Sequence, residues 1–337
     1  MNEWKIKRIN ADVHTWKKLI AGHPHLTFHK PLWARVTQDG LGSENCCLIF
    51  EKNGKVMGGM LGFVKQVLWA KFLYFNLPYG GVIGETPDGA EFDRLLCAFA
   101  LEEHITRIRI VDSPLLPPTP EGGFHLIRTQ THILGIKGKT SDRILSDFHP
   151  GIRRNIKKAV KSGIVVEAAE KRQDANAFYA LYLESMQRNE AVPKYGRSFV
   201  DAVFEHIIKA GQGTLLLAKM KEKPIAGVLL VDSENMTHYL MGGSRTSCLR
   251  YRPNDLLFFE AIKRAANGGS DYFDFLPSGV NDHNLMRFKT KWGAAPYPVH
   301  TLERIVQPTR MKFWDCAYRL GQTKAARRLI QRYRNRK

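Results

Sequence analysis

No apolar run in this chain of 337 residues approaches the ~18 that a membrane-spanning helix needs; "GTLLLA" and "IAGVLLV" are among the longest. The opening stretch, "MNEWKIKRINADVHTWKKL", lacks the apolar core of a secretory signal. Cysteine is scarce. Cys46, Cys47, Cys97, Cys248 and Cys316 are odd in number and two are adjacent, which gives neither a disulfide framework nor zinc-ligand spacing. These absences predict a cytoplasmic protein with small core cysteines. The histidines are scattered, so no metal ligand set is visible, and no Ser-His-Asp or nucleophilic cysteine signature stands out. Acid is in short supply as well: 32 Asp and Glu stand against 51 Lys and Arg, a net charge of +19.

What is present suits a soluble globular chain in two parts. The length fits two domains of about 150 residues each. A hydrophobic content of 44% with 25% charged residues is ordinary globular composition. The positive excess favours an anionic partner: nucleic acid, a phosphorylated substrate or an anionic membrane surface. It is clustered, since residues 304–337 hold eleven Lys or Arg and one acid, Asp315.

Residues 1–145 read as mixed α/β. "DVHTWKKLIAG" is a short amphipathic helix stopped by Gly22, and "CCLIFEKNGKVMGGMLGFVKQ" is two strands around the hairpin signal Asn53-Gly54. "AEFDRLLCAFALEEHI" is a helix before the strand "TRIRIVD". Residues 146–305 run helices, three antiparallel strands through "GTLLLAKMKEKPIAGVLLVDSENMTHYLMGGS", the helix "PNDLLFFEAIKRAANGG", the strand "DYFDFLP" and a last strand "YPVHTLERI". That order is typical of GNAT-class acyltransferases, and the first segment gives a weaker copy of it. The expected fold is α/β (α+β): two tandem GNAT-like domains, 1–145 and 146–305, the second holding a catalytic cleft. A basic amphipathic helix over 306–337 is expected to dock on the first domain.

Four stretches, in this order, resemble the Fem family of peptidyltransferases and its FemAB-like and CelD-like acyltransferase relatives. They are "FHPGIRRNIKKAVKSGIVVE", "LYLESMQRNEAVPKYGRSF", "LLLAKMKEKPIAGVLLVD" and "DYFDFLPSGVNDHNLMRFKTKWGAAP". The resemblance covers most of residues 75–305. It implies a twin-GNAT fold, and transfer of an activated amino acid from aminoacyl-tRNA, or of an acyl group, to an amine of an anionic cell-envelope precursor. No tightly bound cofactor is implied. Two positions depart from the family pattern: Thr37, with Arg35 nearby, stands where muropeptide-acting members have a Lys, and "PYGG", Pro78 to Gly81, replaces Pro-Arg-Gly-Pro. The tRNA-cradling coiled-coil insertion of some members is missing.

Acyl transfer needs a nucleophilic amine, a carbonyl held within reach and stabilisation of the oxyanion. Lys289 is the candidate for the last role, by resemblance and as a fixed cation in a cleft, with Phe288 and Trp292 anchoring its helical turn. Arg188 matches a family residue that binds acceptor phosphate; a helix C-terminal Arg facing the dipole is the other reading. Asp112 falls near a family Asp and would orient or deprotonate the amine, but an Asp before Ser-Pro is also a good turn former. Asp274 sits inside an apolar strand, so its carboxylate must be paired or near a cleft, and Tyr239 is a candidate for the same cleft wall.

Three further groups concern partners. Arg153, Lys157 and Lys161 form a row on one helix, with Arg154 and Lys158 beside it and Ile152, Ile156, Ala159 and Val160 as the apolar side; such a row suits a phosphate backbone or is a solvated face. The segment "SRTSCLRYRPNDLL" stands where a GNAT enzyme cradles the coenzyme A pyrophosphate. It has no glycine after Gly243, carries Arg245, Arg250 and Arg252, and its Pro253 offers no N–H, which tips the donor from acyl-CoA toward aminoacyl-tRNA. In the tail, Trp314, Tyr318, Gly321, Ala325 and Leu329 share one stripe, while Arg327 and Arg328 are candidates for tRNA or the inner membrane surface. An acyl-CoA-dependent N-acyltransferase acting on a polysaccharide or lipid precursor is the rival enzyme, and a non-catalytic RNA-binding protein the rival class.

Overall fold

The computed structural model describes residues 3–279 and 283–321. The chain opens with β1 (Trp4–Ile9), α1 (His14–Ala21) and α2 (Pro31–Leu41), then β2 (Glu44–Lys52), β3 (Lys55–Val67), β4 (Ala70–Gly80) and β5 (Ile83–Gly84). It continues through α3 (Gly89–Glu102), β6 (Arg107–Asp112), β7 (His125–Gly135), α4 (Ser141–Asp147) and α5 (Pro150–Lys161). Next come β8 (Ile164–Ala168), α6 (Arg172–Arg188), α7 (Arg197–Val203), β9 (Gly213–Met220), β10 (Lys223–Asp232) and β11 (Met236–Ser244). Last are α8 (Pro253–Asn267), β12 (Tyr272–Asp274), α9 (His283–Thr290), β13 (Ala295–Ile305) and α10 (Pro308–Gly321).

Local chemistry accounts for many boundaries. Asn53 and Gly54 both take positive φ, 51° and 78°, the twist that a two-residue hairpin between right-handed strands requires. Pro253 starts α8 at the turn where its missing N–H costs nothing. α5 buries Ile152, Ile156 and Ala159, but Val160 is exposed, so it is not part of the apolar side as its sequence position suggested.

The strands form one 13-stranded sheet in the order β1-β2-β3-β4-β6-β13-β7-β12-β11-β10-β9-β8, with β5 on β3. The same pattern occurs from either edge. Antiparallel strands lead to a parallel pair, β4 with β6 in one half and β11 with β12 in the other. Beyond each pair lies a strand from the far side of the chain: β13 lies against β6, and β7 lies against β12. β7 and β13 pair with each other over residues 125–133 and 295–303, joining the halves. A division of the chain near residue 145 therefore does not divide the sheet.

A second bond between halves is helical. α2 packs on α7, and Gly40 allows it: a Cβ there would lie 2.8 Å from Phe199 Cα. Trp33 meets the Phe199 ring edge-on at 6.4 Å. α10 packs on β4 through buried Met311 and through Trp314 at 5.1 Å from Phe72. Arg327 and Arg328 lie outside the described residues.

Buried His29 ties this region to pH. Its Nδ1 accepts from Leu26 N (3.1 Å) and its Nε2 donates to Gly80 O (3.0 Å), a fit only the neutral ring makes. Burial pushes its pKa from 6.5 down to about 4. The unfolded chain therefore binds the extra proton first. The contribution of His29 to stability is complete above pH 6.5 and is lost as pH falls toward about 4. Urea unfolding at several pH values is expected to show this slope, and His29→Gln to flatten it; equal slopes for both proteins would remove His29 as its source.

Candidate functional site

β11 and β12 pair only from Met236–Tyr272 to His238–Asp274 and then separate. Beyond that point Tyr239 to Ser244 on one side and Phe275 to Gly279 on the other line a cleft of about 1360 Å³. Two parallel strands that part at their carboxyl ends leave a crevice where ligands of open α/β sheets bind. The register of β11 slips against β10 so that Leu240 is an extra residue between Tyr239 and Met241, which bends the strand at the cleft wall. The first half of the chain supplies the opposite wall: Phe63, Tyr74, Asn76, Leu77 and Pro78 from β3 and β4, and Arg109 from β6.

Lys289 reaches this cleft from α9 and is only 2% exposed. Its Nζ donates to Leu276 O and, at 2.7 Å, to Ser278 Oγ. Trp292 lies behind it, fully buried between Phe148 (4.9 Å) and Phe258 (5.6 Å), and Phe288 packs on Phe258 at 5.4 Å while lining the cleft. Alternating cations and aromatics in "RFKTKW" thus sort by helical geometry, the aromatics and Lys289 inward, Arg287 and Lys291 outward.

Asp274 is not on the cleft wall. It is a fully buried acceptor for four donors: Tyr79 Oη at 2.9 Å, Thr131 Oγ1 at 2.6 Å, His238 Nδ1 at 3.1 Å and Leu276 N at 2.9 Å. The carboxylate orients the Leu276 peptide, and that peptide holds Lys289. Burial, and then Asp274 itself, push the Tyr79 hydroxyl well above its usual pKa. His238 passes the network on through Ser233 Oγ (3.1 Å), which accepts from Thr27 N (3.0 Å). Asp274 therefore ties β4, β7, β11 and β12 together, and its place here is structural, against the expectation of substrate contact.

The other candidates divide. Tyr239 lines the cleft with its ring on Phe258 at 4.8 Å, and burial followed by Tyr182 raises its pKa. Arg188 also lines the cleft, but its fork is engaged by the protein. Nη1 donates to Ser244 O (2.9 Å) and Thr246 Oγ1 (3.1 Å), and Nη2 to Ser185 Oγ (3.0 Å) and Ser244 Oγ (3.3 Å). It braces α6 against the end of β11 rather than presenting a bidentate face to an acceptor. Arg188→Lys is accordingly expected to cost about 1–2 kcal/mol of stability in denaturant unfolding. A raised acceptor KM with unchanged stability would restore the phosphate role.

Asp112 is placed away from the cleft lining. Its oxygens accept from Thr119 N (3.0 Å) and Thr119 Oγ1 (2.7 Å), which closes the loop after β6. Burial raises its pKa and the Thr119 bonds oppose that rise. The turn-forming reading is the one the geometry matches; a base acting on the substrate amine is not. Arg245 and Arg252 are exposed on either side of a 3-10 turn over Thr246–Tyr251 and do not line the cleft. The start of α8 already holds a carboxyl, Asp255, which accepts from Asn155 Nδ2 (3.2 Å) and is raised by burial. On α5, Arg153 turns back to Ser146 O (3.3 Å), while Arg154, Lys157, Lys158 and Lys161 are exposed. Thr37 is buried on Ala34 O and Arg35 pairs with Asp12, so neither reaches the cleft.

Sequence reasoning missed the wall from the first half. Arg109 pairs with Glu303 at 3.0 Å across β6 and β13, yet its Nε is buried without a partner among the described residues. Asn76, Leu77 and Pro78 reach the cleft because β4 bulges between Phe75 and Gly80. The Pro78–Gly81 motif was the one signal pointing there. Among the described residues no His, Cys, Asp and Glu group could hold a metal, and no helix is long and apolar enough to cross a membrane.

Comparison with known proteins agrees with this geometry. Residues 146–297 match the family model of the acetyltransferase (GNAT) domain. FemX has a similar structure, with a TM-score of 0.65 at 16% identity, over 92% of this chain and 99% of FemX. A tandem GNAT protein from the clavulanic acid biosynthesis pathway gives 0.60 at 13% identity, over 90% and 99%. The C-terminal domain of a putative lysylphosphatidylglycerol synthetase from Agrobacterium fabrum gives 0.53 at 11%, over 77% and 84%. A search of curated proteins finds no significant sequence match. The chain thus carries an acetyltransferase (GNAT) domain over residues 146–297, within a fold similar to those of FemX and of the tandem GNAT protein.

Proposed function

We infer that this chain transfers an aminoacyl or acyl group from an activated donor to an amine of an anionic cell-envelope precursor, with aminoacyl-tRNA as the donor. The observation that carries the reading is a buried lysine amine, Lys289, fixed on the wall of a cleft shared by both halves. The acceptor amine attacks the ester carbonyl carbon, a C–N bond forms and the carbonyl electrons move to oxygen. Lys289 supplies a fixed positive field for that oxyanion, in surroundings where water screens little. Collapse expels the donor's oxygen, which takes up the proton that the amine gives up. Tyr239, a cleft phenol kept protonated by burial, has the chemistry to pass that proton.

Two features support a tRNA donor over acyl-CoA. The start of α8 offers Pro253 and the Asp255 carboxyl where a pyrophosphate would need N–H groups and positive charge. The four exposed cations of α5 lie on one short helix and suit a phosphate backbone. Acyl-CoA is the second reading, because the tandem-GNAT neighbour is described with reference to AcCoA. Purified protein given labelled acetyl-CoA and, separately, labelled aminoacyl-tRNA, with an amine-bearing envelope precursor, tests both. Label moving only from tRNA supports the proposal. Label moving only from acetyl-CoA reverses the donor, and transfer from neither, with tRNA bound tightly, favours a binding protein.

A further inference from the structure

The molecule leaves a group of large apolar side chains in water at one end of its sheet. The tip of the β3–β4 hairpin presents Val67, Leu68 and Trp69, with Leu68 65% and Trp69 47% exposed. Leu68 holds a positive φ of 54°, so the tip is a tight turn that projects its side chains. At the same end β13 finishes with exposed Ile305, whose register partner Arg107 pairs in turn with Phe72 of β4. α10 then packs Met311 on Ala70, next to the tip, and carries Phe313, 64% exposed, on its outer side. Soluble proteins expose single apolar residues freely; a projecting tip beside further aliphatic and aromatic groups marks an interaction surface.

The charge around the patch names the partner. Arg310, Lys312 and Arg319 are exposed on α10 against one acid, Asp315. Residues 322–337, which follow in sequence, hold seven Lys or Arg and no acid. We propose that this end of the protein docks on an anionic phospholipid bilayer, with the Val67–Leu68–Trp69 tip inserted at the headgroup–acyl boundary and the α10 cations on the lipid phosphates. Apolar insertion plus basic attraction are the two terms a reversible peripheral attachment needs. RNA would meet the cations and the rings of Trp69 and Phe313 but leave Val67, Leu68 and Ile305, which have no face on which a base stacks, in water. The placement also serves the cleft. Phe63 and Tyr74 line it as a cross-strand pair, and the tip lies four residues beyond Phe63 on the same hairpin, about 13 Å along the strand. An acceptor amine displayed on a lipid-anchored precursor would thus stand close to the cleft mouth, a consequence that rests on the proposed acyl transfer; the attachment itself does not.

The test uses the full chain and sedimentation with vesicles of phosphatidylcholine alone or mixed with phosphatidylglycerol. Binding is expected to the mixed vesicles and to weaken with salt. The variant Leu68→Asn/Trp69→Ser leaves the net charge unchanged, and Asn accepts positive φ. It is expected to lower partitioning at least about tenfold, the scale of withdrawing two large apolar side chains from lipid. Acyl chains brominated near the headgroup are expected to quench the wild type more than Trp69→Phe, a readout that holds should the double variant fail to fold. Equal binding by wild type and double variant, with salt removing both, would overturn insertion. So would an absence of vesicle binding, with the tip substitutions changing only tRNA affinity or only the mass of the protein in solution. Absence of transfer activity in a wild type that binds the vesicles would count against the catalytic reading alone.

Discussion

Lys289→Ala is expected to lower the rate of transfer by ~10²-fold or more, the scale of removing one preorganised oxyanion stabiliser. Position is the reason. The amine is held by Leu276 O and Ser278 Oγ, and its stem is backed by the Trp292 and Phe288 cluster, so the cation pays no reorganisation when charge develops. Lys289→Met separates charge from packing. It keeps an apolar stem of similar reach but leaves Leu276 O and Ser278 Oγ without the amine, at a cost of about 1–3 kcal/mol. The expected result is two inactive variants, with the Met form the more stable of the two because it fills the space of the stem, and both forms binding donor as the wild type does. Single-turnover rates with saturating donor measure this. A Met variant that transfers at the full rate would remove Lys289 from the chemistry, and donor affinity lost in step with the rate would make it a binding residue instead.

Asp274→Ala is expected to be the most destabilising single change in the cleft region, on the order of 4 kcal/mol or more. Four buried donors lose their acceptor together: Tyr79 Oη, Thr131 Oγ1, His238 Nδ1 and Leu276 N. The donors come from β4, β7, β11 and the segment after β12, so the loss falls on the joint between the halves rather than on one strand. Asp274→Asn keeps one acceptor oxygen but turns an amide N–H₂ toward groups that already donate, so an intermediate loss is expected. Urea unfolding of the two variants gives the comparison. An Ala variant within about 1 kcal/mol of the wild type would show that water replaces the carboxylate and that the network is not what joins the halves. Where the Asn variant folds, its transfer rate is expected to fall as well, because the Leu276 peptide that holds Lys289 depends on Asp274.

The network also shows how the segment that departs from the related pattern in the N-terminal half is used. Pro78–Gly81 stands where the related pattern has an arginine. Here the bulge places Asn76 to Pro78 on the cleft and sends Tyr79 to Asp274. Gly81, at φ 92°, passes close to Asp112, where a Cβ would lie 2.8 Å from Oδ1. The segment is thus occupied by joining the halves, and Arg109 of β6 is a cation that the same half brings to the cleft.

What the amino-acid sequence by itself determined is local. Asn53-Gly54 set a hairpin, Pro150 and Pro253 set helix starts, and the spacing of Phe288, Lys289 and Trp292 set which side chains of α9 turn inward, because each depends on backbone preferences or on helical period. The order of elements after residue 146 gave the GNAT unit for the same reason. Tertiary structure decided the rest. A strand's alternation says that one face is buried but not which strand lies beside it, so the crossing of β7 and β13 between the halves was not legible. Nor was the use of the ionic groups. Asp274 reads as a carboxylate in need of partners, yet those partners lie up to 195 residues away in sequence. Arg188 reads as a fork seeking a phosphate, and only folding brings Ser244 and Thr246 to it. Charge and donor number are written in a residue; the acceptor that satisfies them is set by long-range packing, which places groups distant in the chain within 3 Å.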